Sequence, residues 1–352
     1  MQISMTTLRW NSGTAYDFFI SLLALHHAAD FGLRPNWTAG VRQRLSVPQR
    51  EFLERVYSFA SVPLDWISSL PEPKDALPVL SRAAELAPAD RLRILTLPLN
   101  TPLEAHETLD HIAARGSVKA EEKEYLGRTI THRNNHLKAA ELDNLLKVWK
   151  NLDKSSEQIL TTLHEYYSAF FADEETRIRP VLQAGLEHAR ELSGRVTLSA
   201  LVEELSRGVH FEDVESAQEL ILVPSYWSTP FVFPTTAAEG SMQIVFGCRP
   251  DVQSIAPGAE TPDMLVNALK SLADPTRLRI LRYLSGQPLT PTELSRLLRL
   301  RPPTVLHHLQ ALRLAELVAI RVSENGEKRY AARSETLNVI FTSVKDFLKK
   351  QD

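Results

Sequence analysis

The 352-residue chain holds a single cysteine, Cys248. One thiol excludes an intrachain disulfide and any metal knot built on several thiolates. It also points to a reducing compartment, the cytoplasm. Long apolar runs are missing as well: no stretch reaches the length of a membrane span, and no basic-then-apolar leader is read at the start. A glycine-rich phosphate loop, a G-x-S-x-G elbow and a dinucleotide fingerprint are all absent, so phosphate-loop enzymes, α/β-hydrolases and dinucleotide enzymes have no motif in their favour. Strong net charge is lacking too, at -3 overall. That balance conceals an asymmetry. Residues 261–352 carry 15 basic against 9 acidic side chains, a balance of +6, and the rest carries 25 against 34, a balance of -9. A basic module on an acidic body predicts that only the module faces a polyanion.

What is present before residue 250 is mostly helical in period. Phe18, Leu22, Leu25 and Ala29 form one apolar stripe, and Pro35, Pro48, Pro63, Pro71, Pro73, Pro78, Pro88, Pro98 and Pro102 cut the following stretch into short helices. Trp149, Ile159, Leu163, Tyr166 and Phe170 continue helical stripes of the core kind. The opening residues alternate (Ile3, Met5, Leu8, Trp10), the pattern of an edge strand. Three turn-bounded apolar segments, ELILVPS, TPFVFPT and SMQIVFG, lie between 219 and 247 and read as a small antiparallel meander. Tyr226, Trp227, Phe231 and Phe233 cluster at their junctions. They are either candidates for lining an effector pocket or the seam where sheet meets helices. His106, His111, His132 and His136 are the basis of the rival expectation, a metal-dependent hydrolase with the C-terminal module serving for dimerisation. His132 and His136 have a helical chelating spacing, but no Glu directly follows His132, so the metalloprotease general base is missing. No metal or cofactor is assigned. The stretch 251–261, rich in Pro, Gly and small polar residues, reads as a linker between a region 1–250 and a module 262–352.

The module is organised around RPPTVLHHLQALRLAELV, residues 301–318. Two prolines suit a helix's first turn, which needs no intrahelical N–H donors. Val305, Leu309 and Leu312, with Leu306 alongside, form an apolar stripe. Pro303, Thr304, His307, Gln310 and Ala311 make the opposite face small and polar, fit for a base-pair edge. Asp274-Pro275 starts an earlier helix, and Thr290 with Glu293 has capping-box spacing for the next. After the 301–318 stretch, Val318, Ile320 and Val322 alternate and Asn325-Gly326 marks a hairpin turn. A last helix carries Val339, Ile340, Val344 and Phe347.

The phrases ALKSLADPTRLRILRYL, TPTELSRLLRLRPPTVLHHLQALRLAELV and RVSENGEKRYAA, in that order, resemble the ArsR-type winged helix-turn-helix regulators. The resemblance covers about the last quarter of the chain. It implies a DNA-binding transcriptional repressor that works as a homodimer, paired through the module's first and last helices. The two recognition helices would enter successive major grooves about 34 Å apart. Groove-facing positions by carry-over are Arg301, Thr304, His307 and Gln310, with Arg321, Lys328 and Arg329 on the wing to clamp phosphates. Thr290 and Thr292 stand where metal-sensing members of the family have a Cys-x-Cys box, and residues 334–350 contain no histidine. A non-metal signal acting through the preceding region is therefore expected, with double-stranded DNA and a small-molecule effector as partners, no membrane, and no enzymatic activity. The expected fold class is mainly α, of α+β type: a helical N-terminal region with a small antiparallel sheet, then the winged helix-turn-helix.

Overall fold

The structure, a computed structural model, describes residues 6–132, 135–236, 240–255 and 261–349. Ile3 and Met5 of the alternating opening, and 256–260 of the expected linker, lie outside the described residues. The chain divides into two compact units: Gly13–Ala28 with Arg34–Arg179, and Met1–Ser12 with Ala29–Leu33 and Pro180–Asp352.

A short strand, β1 (Thr7–Trp10), opens the described chain. The first of the two units follows it and is helical. It runs through α1 (Thr14–His26), α2 (Pro35–Arg42), α3 (Val47–Val56), α4 (Leu64–Ser69), α5 (Ala76–Glu85), α6 (Pro88–Thr96), α7 (Leu103–Arg115) and α8 (Ala120–Thr129). A minimal ladder, β2 (Thr131–His132) with β3 (Asn135–His136), then leads to α9 (Ala139–Trp149) and α10 (Leu152–Tyr166). Prolines sit in the first turn of α2, α3 and α6, where a missing N–H costs nothing. The core is aromatic: Phe18 meets Tyr166 and Phe171 with ring centroids 5.4 and 5.1 Å apart, and the Ser21 and Tyr166 hydroxyls bond at 2.9 Å. A π-helical turn, Tyr167–Phe171, joins α10 to α11 (Ala172–Ser193), and the division between the units falls within α11.

The other unit combines helices with two sheets. After α11 come α12 (Leu198–Leu205), β4 (Val209–Phe211), β5 (Glu219–Ser225), β6 (Phe233–Thr236) and β7 (Ser241–Gly247). The first sheet has the order β1-β5-β7-β6, and only β6 with β7 is antiparallel; β1 with β5 and β5 with β7 are parallel. The antiparallel meander expected at 219–247 is thus a mixed, mainly parallel sheet. The reason is visible in the strands themselves. β5 and β7 are buried over consecutive residues, the mark of a strand covered on both faces, rather than alternating in and out. β1 is an edge strand.

The C-terminal helices are α13 (Asp263–Leu272), α14 (Pro275–Leu284), α15 (Pro291–Leu298), α16 (Pro302–Leu314) and α17 (Ser334–Lys349), with the hairpin β8 (Val318–Val322) and β9 (Lys328–Ala332) between the last two. The hairpin does not stand alone. Strand β4 pairs in parallel with β8, matching Val209 to Ile320 and Phe211 to Val322, to give a sheet of order β4-β8-β9. Ile320 packs against two apolar clusters, one around Val305, Leu309 and Leu312 and one around Leu205, Phe211 and Leu222. These shared contacts place residues 180–352 in one unit, where the sequence suggested separation at 251–261.

Candidate nucleic-acid interface

The helix α16 is set by what precedes it. Asp274 caps α14 by accepting the N–H groups of Thr276 and Arg277 at 2.8 and 3.0 Å, which holds its carboxyl below the usual carboxylate range. Thr290 and Glu293 form the expected capping box on α15: Thr290 Oγ1 accepts from the Glu293 N–H at 3.2 Å, and Glu293 accepts from the Thr290 N–H at 2.7 Å. These bonds push the Glu293 carboxyl down, the Thr290 backbone N–H most of all. Helix α15 ends at Arg299 in the left-handed conformation, φ 57°, and Arg301 becomes the N-cap of α16, with prolines in its first turn.

Val305, Leu309 and Leu312 are buried in the cluster with Leu294, Leu298 and Ile280. Arg301, Thr304 and His307 are exposed, and Gln310 is half-buried. The face expected to meet base edges is therefore the outer face. Leu306, assigned to the apolar stripe, is instead 47% exposed, because it lies one position off the 305-309-312 line and turns outward beside His307. His308, half-buried, has its imidazole pKa lowered by burial, against the pull of Asp274.

On the wing, Arg321 and Lys328 are exposed. Arg329 faces Arg321 across the ladder and donates to Glu293 at 3.4 Å and Glu327 at 3.2 Å. Two carboxylates thus already occupy the guanidinium expected to grip phosphate.

Tyr226 and Trp227 have no exposed surface. The Tyr226 hydroxyl donates to the Ser254 carbonyl at 2.8 Å, and the Arg249 guanidinium lies 5.7 Å from the Tyr226 ring centroid. Phe231 is half-buried and meets Phe31 edge to face; Phe233 is half-buried in β6. The four histidines of the hydrolase expectation are spread over α7, β2 and β3, so His132 and His136 lack the helical spacing that would make them a chelating pair. Among the described residues no group of three or more His, Cys, Asp or Glu is placed to hold a metal ion.

Sequence reasoning missed Arg313. It is 4% exposed and donates to three main-chain carbonyls: Ser206 at 2.6 Å, Arg207 at 2.7 Å and Pro230 at 2.9 Å. Ser206 is the C-cap of α12 and Arg207 the residue after it, so a cation on α16 caps another helix's negative end. The available signal was its position: Arg313 stands four residues after Leu309, on the apolar stripe, where a charge needs buried partners.

Residues 274–319, from the cap of α14 into β8, match the family model described as bacterial regulatory protein, arsR family. The C-terminal region therefore carries an ArsR-family helix-turn-helix domain. It supports a DNA-binding transcriptional regulator rather than an enzyme, and the helical unit before it lies outside the match. No curated protein matches the chain. No solved structure matches it either. Among the described residues, no helix is long and apolar enough to cross a membrane.

Proposed function

We propose that the chain is a dimeric, cytoplasmic ArsR-type repressor whose operator affinity is set through residues 1–250 by a signal other than a metal ion. The observation that carries this is the division of α16: a buried leucine stripe fixes the helix while Arg301, Thr304 and His307 stay in solvent on the other side. Residues 262–352 are the DNA-reading module in this account. Arg301 supplies a guanidinium for a base edge or phosphate at the groove, His307 and Gln310 donors and acceptors further along, and Arg321 and Lys328 charge for the backbone. Arg329 contributes after releasing Glu327 or Glu293.

Dimerisation is supported by apolar side chains left in solvent on the module's first and last helices: Leu269 on α13, and Val339, Phe341 and Leu348 on α17. Thr290 and Thr292 in place of a thiolate pair favour a non-metal signal. Full burial of Tyr226 and Trp227 favours their packing role over a pocket wall.

The test is selection of genomic fragments bound by the purified full-length chain, followed by affinity for the selected duplex across a salt series. A steep salt slope is expected, and Arg301→Ala and His307→Ala each weaken binding by about 1–3 kcal/mol. Salt-independent binding, or variants equal to the parent chain, would sink the proposal.

A further inference from the structure

Four arginines are strung together behind α16. The Arg249 carbonyl accepts from Arg207 Nη2 at 2.9 Å; the Arg207 carbonyl accepts from Arg313 at 2.7 Å and from Arg333 at 3.0 Å. Their carboxylate partners differ in how firmly they are held. Glu316 pairs with Arg207 and is 13% exposed, and Asp263 pairs with Arg249 at 3.1 Å. Asp251 on Arg207 and Glu335 on Arg333 are 51% and 72% exposed, so their pairs are weak and solvent-screened. Among the described residues, Glu316 and Asp263 are the more firmly held carboxylates beside these guanidiniums. Burial above all lowers the Arg313 pKa to about 10, against the pull of Glu316, whereas at Arg207 burial is outweighed by Glu316 and Asp251, which together raise its pKa.

Beside this cluster lies a cavity of about 750 Å³. Its lining holds Arg207, Arg249 and Arg333 together with Glu204, Asp251 and Glu316, and Val181, Leu205, Phe246 and Met264 give it apolar wall. It sits past the carboxyl end of β7, a place where parallel strands commonly present ligands. Its size suits a metabolite. Two of its lining residues, Arg207 and Glu316, are left-handed at φ 56°, a conformation that is costly without glycine. Each is the residue just past a helix end. The Gly208 N–H reaches the Glu203 carbonyl and the Leu317 N–H reaches the Leu312 carbonyl, closing α12 and α16 in the same way. The ion pair between them therefore joins the last turn of α12 to the last turn of the DNA-reading helix.

We propose that this cavity binds a small organic anion, a carboxylate or phosphate head on an apolar body, and that α16 reads its occupancy through Arg207, Glu316 and Arg313. The head group takes the place of exposed Asp251 on Arg207 and approaches Arg333, while the body covers Leu205 and Phe246. An anion on Arg207 competes with Glu316, so the end of α16 is released or re-seated as the ligand enters. This rests on the regulator reading above, which the DNA arm tests separately.

The experiment uses the full-length chain without DNA and titrates octanoate, octyl phosphate, octanamide and octylamine by calorimetry. Saturable octanoate or octyl phosphate binding is expected at a Kd of about 1 mM or below, with the amide and the amine at least about tenfold weaker. The tighter of the two anions identifies the head group. Arg333→Gln weakens anion binding at least about tenfold. Ala184→Trp, which fills the cavity from α11, removes it, with thermal unfolding confirming that each variant is folded. Equal binding of amide and anion, preference for the amine, or no saturable binding overturns the site. With the selected duplex, saturating anion shifts affinity at least about fivefold in the parent chain and not in Ala184→Trp. Anion binding with unchanged DNA affinity overturns the coupling. Absence of DNA binding in every condition overturns the regulator reading instead.

Discussion

Each unit contains a buried arginine that caps the end of a helix, and the two have different reach. Arg91 on α6 donates to the carbonyls of Ala83, Ala84 and Leu86 at the end of α5, only 8, 7 and 5 residues away. Arg313 on α16 does the same for α12, whose carbonyls lie 106 and 107 residues back in the chain. The chemistry is shared: a guanidinium fork gathers main-chain carbonyls at and just beyond a helix's C-terminal end. The consequence is not. A local cap fixes one helical hairpin. A distant cap makes the seating of α16 depend on a segment that has no place in the 274–319 family match. Surroundings separate them further, since Arg313 has Arg207 and Arg333 close by, whereas Arg91 also finds the Ser156 hydroxyl at 2.9 Å.

The sharpest way to break this contrast is to remove both caps. Arg91→Ala and Arg313→Ala each strand buried carbonyls and lower unfolding stability by about 3 kcal/mol in a denaturant titration. Only the second also weakens DNA, and Arg313→Lys, which keeps the charge and loses the fork, shows the same defect more mildly. Equal DNA affinity in the parent chain and both Arg313 variants ends the argument for coupling. A second contrast is with acid. Burial holds the His26 pKa down to about 4, with Nδ1 bonded to the Leu22 carbonyl at 2.8 Å and the ring stacked on Tyr57. A depressed imidazole means the unfolded chain takes the proton first. Stability from neutral His26 is complete above about pH 6.5 and drains away as pH falls towards 4, by about 3 kcal/mol in all. The helical unit is expected to loosen in that window, and hydrogen exchange of α1 amides against pH measures it; a flat profile rejects the assignment. Smaller still, Thr290→Ala removes half the capping box and costs about 1 kcal/mol by thermal unfolding. Smallest are the wing charges. Lys328→Ala lowers the salt slope of DNA binding by about 0.9, and Arg329→Ala by less, because Arg329 is already paired. A larger effect from Arg329 would show that DNA strips away its carboxylates.

The module was readable because its signals are local. Asp274-Pro275, the Thr290 box, the paired prolines and Asn325-Gly326 each act within a few residues, and each element formed where it was expected. Leu306 escaped because a stripe defined by three leucine-type positions says little about the residue beside it. Strand β4 was not legible: Val-His-Phe is too short to show alternation, and what makes it a strand is Ile320, far along the chain. Parallel pairing of β5 with β7 was hidden for a related reason. Apolar runs report burial on both faces and not strand direction. The arginine cluster is invisible in composition, since its members lie at 207, 249, 313 and 333 and look like ordinary surface charge one at a time.

The three-residue strand laid along β8 also bears on how this regulator can be dissected. Expressed from residue 262 onward, the reading head would present the naked rim of β8, with Ile320 and Val322 stripped of their neighbours. Such a fragment has an open template for self-adhesion, and its failure to bind an operator would say nothing about the intact chain.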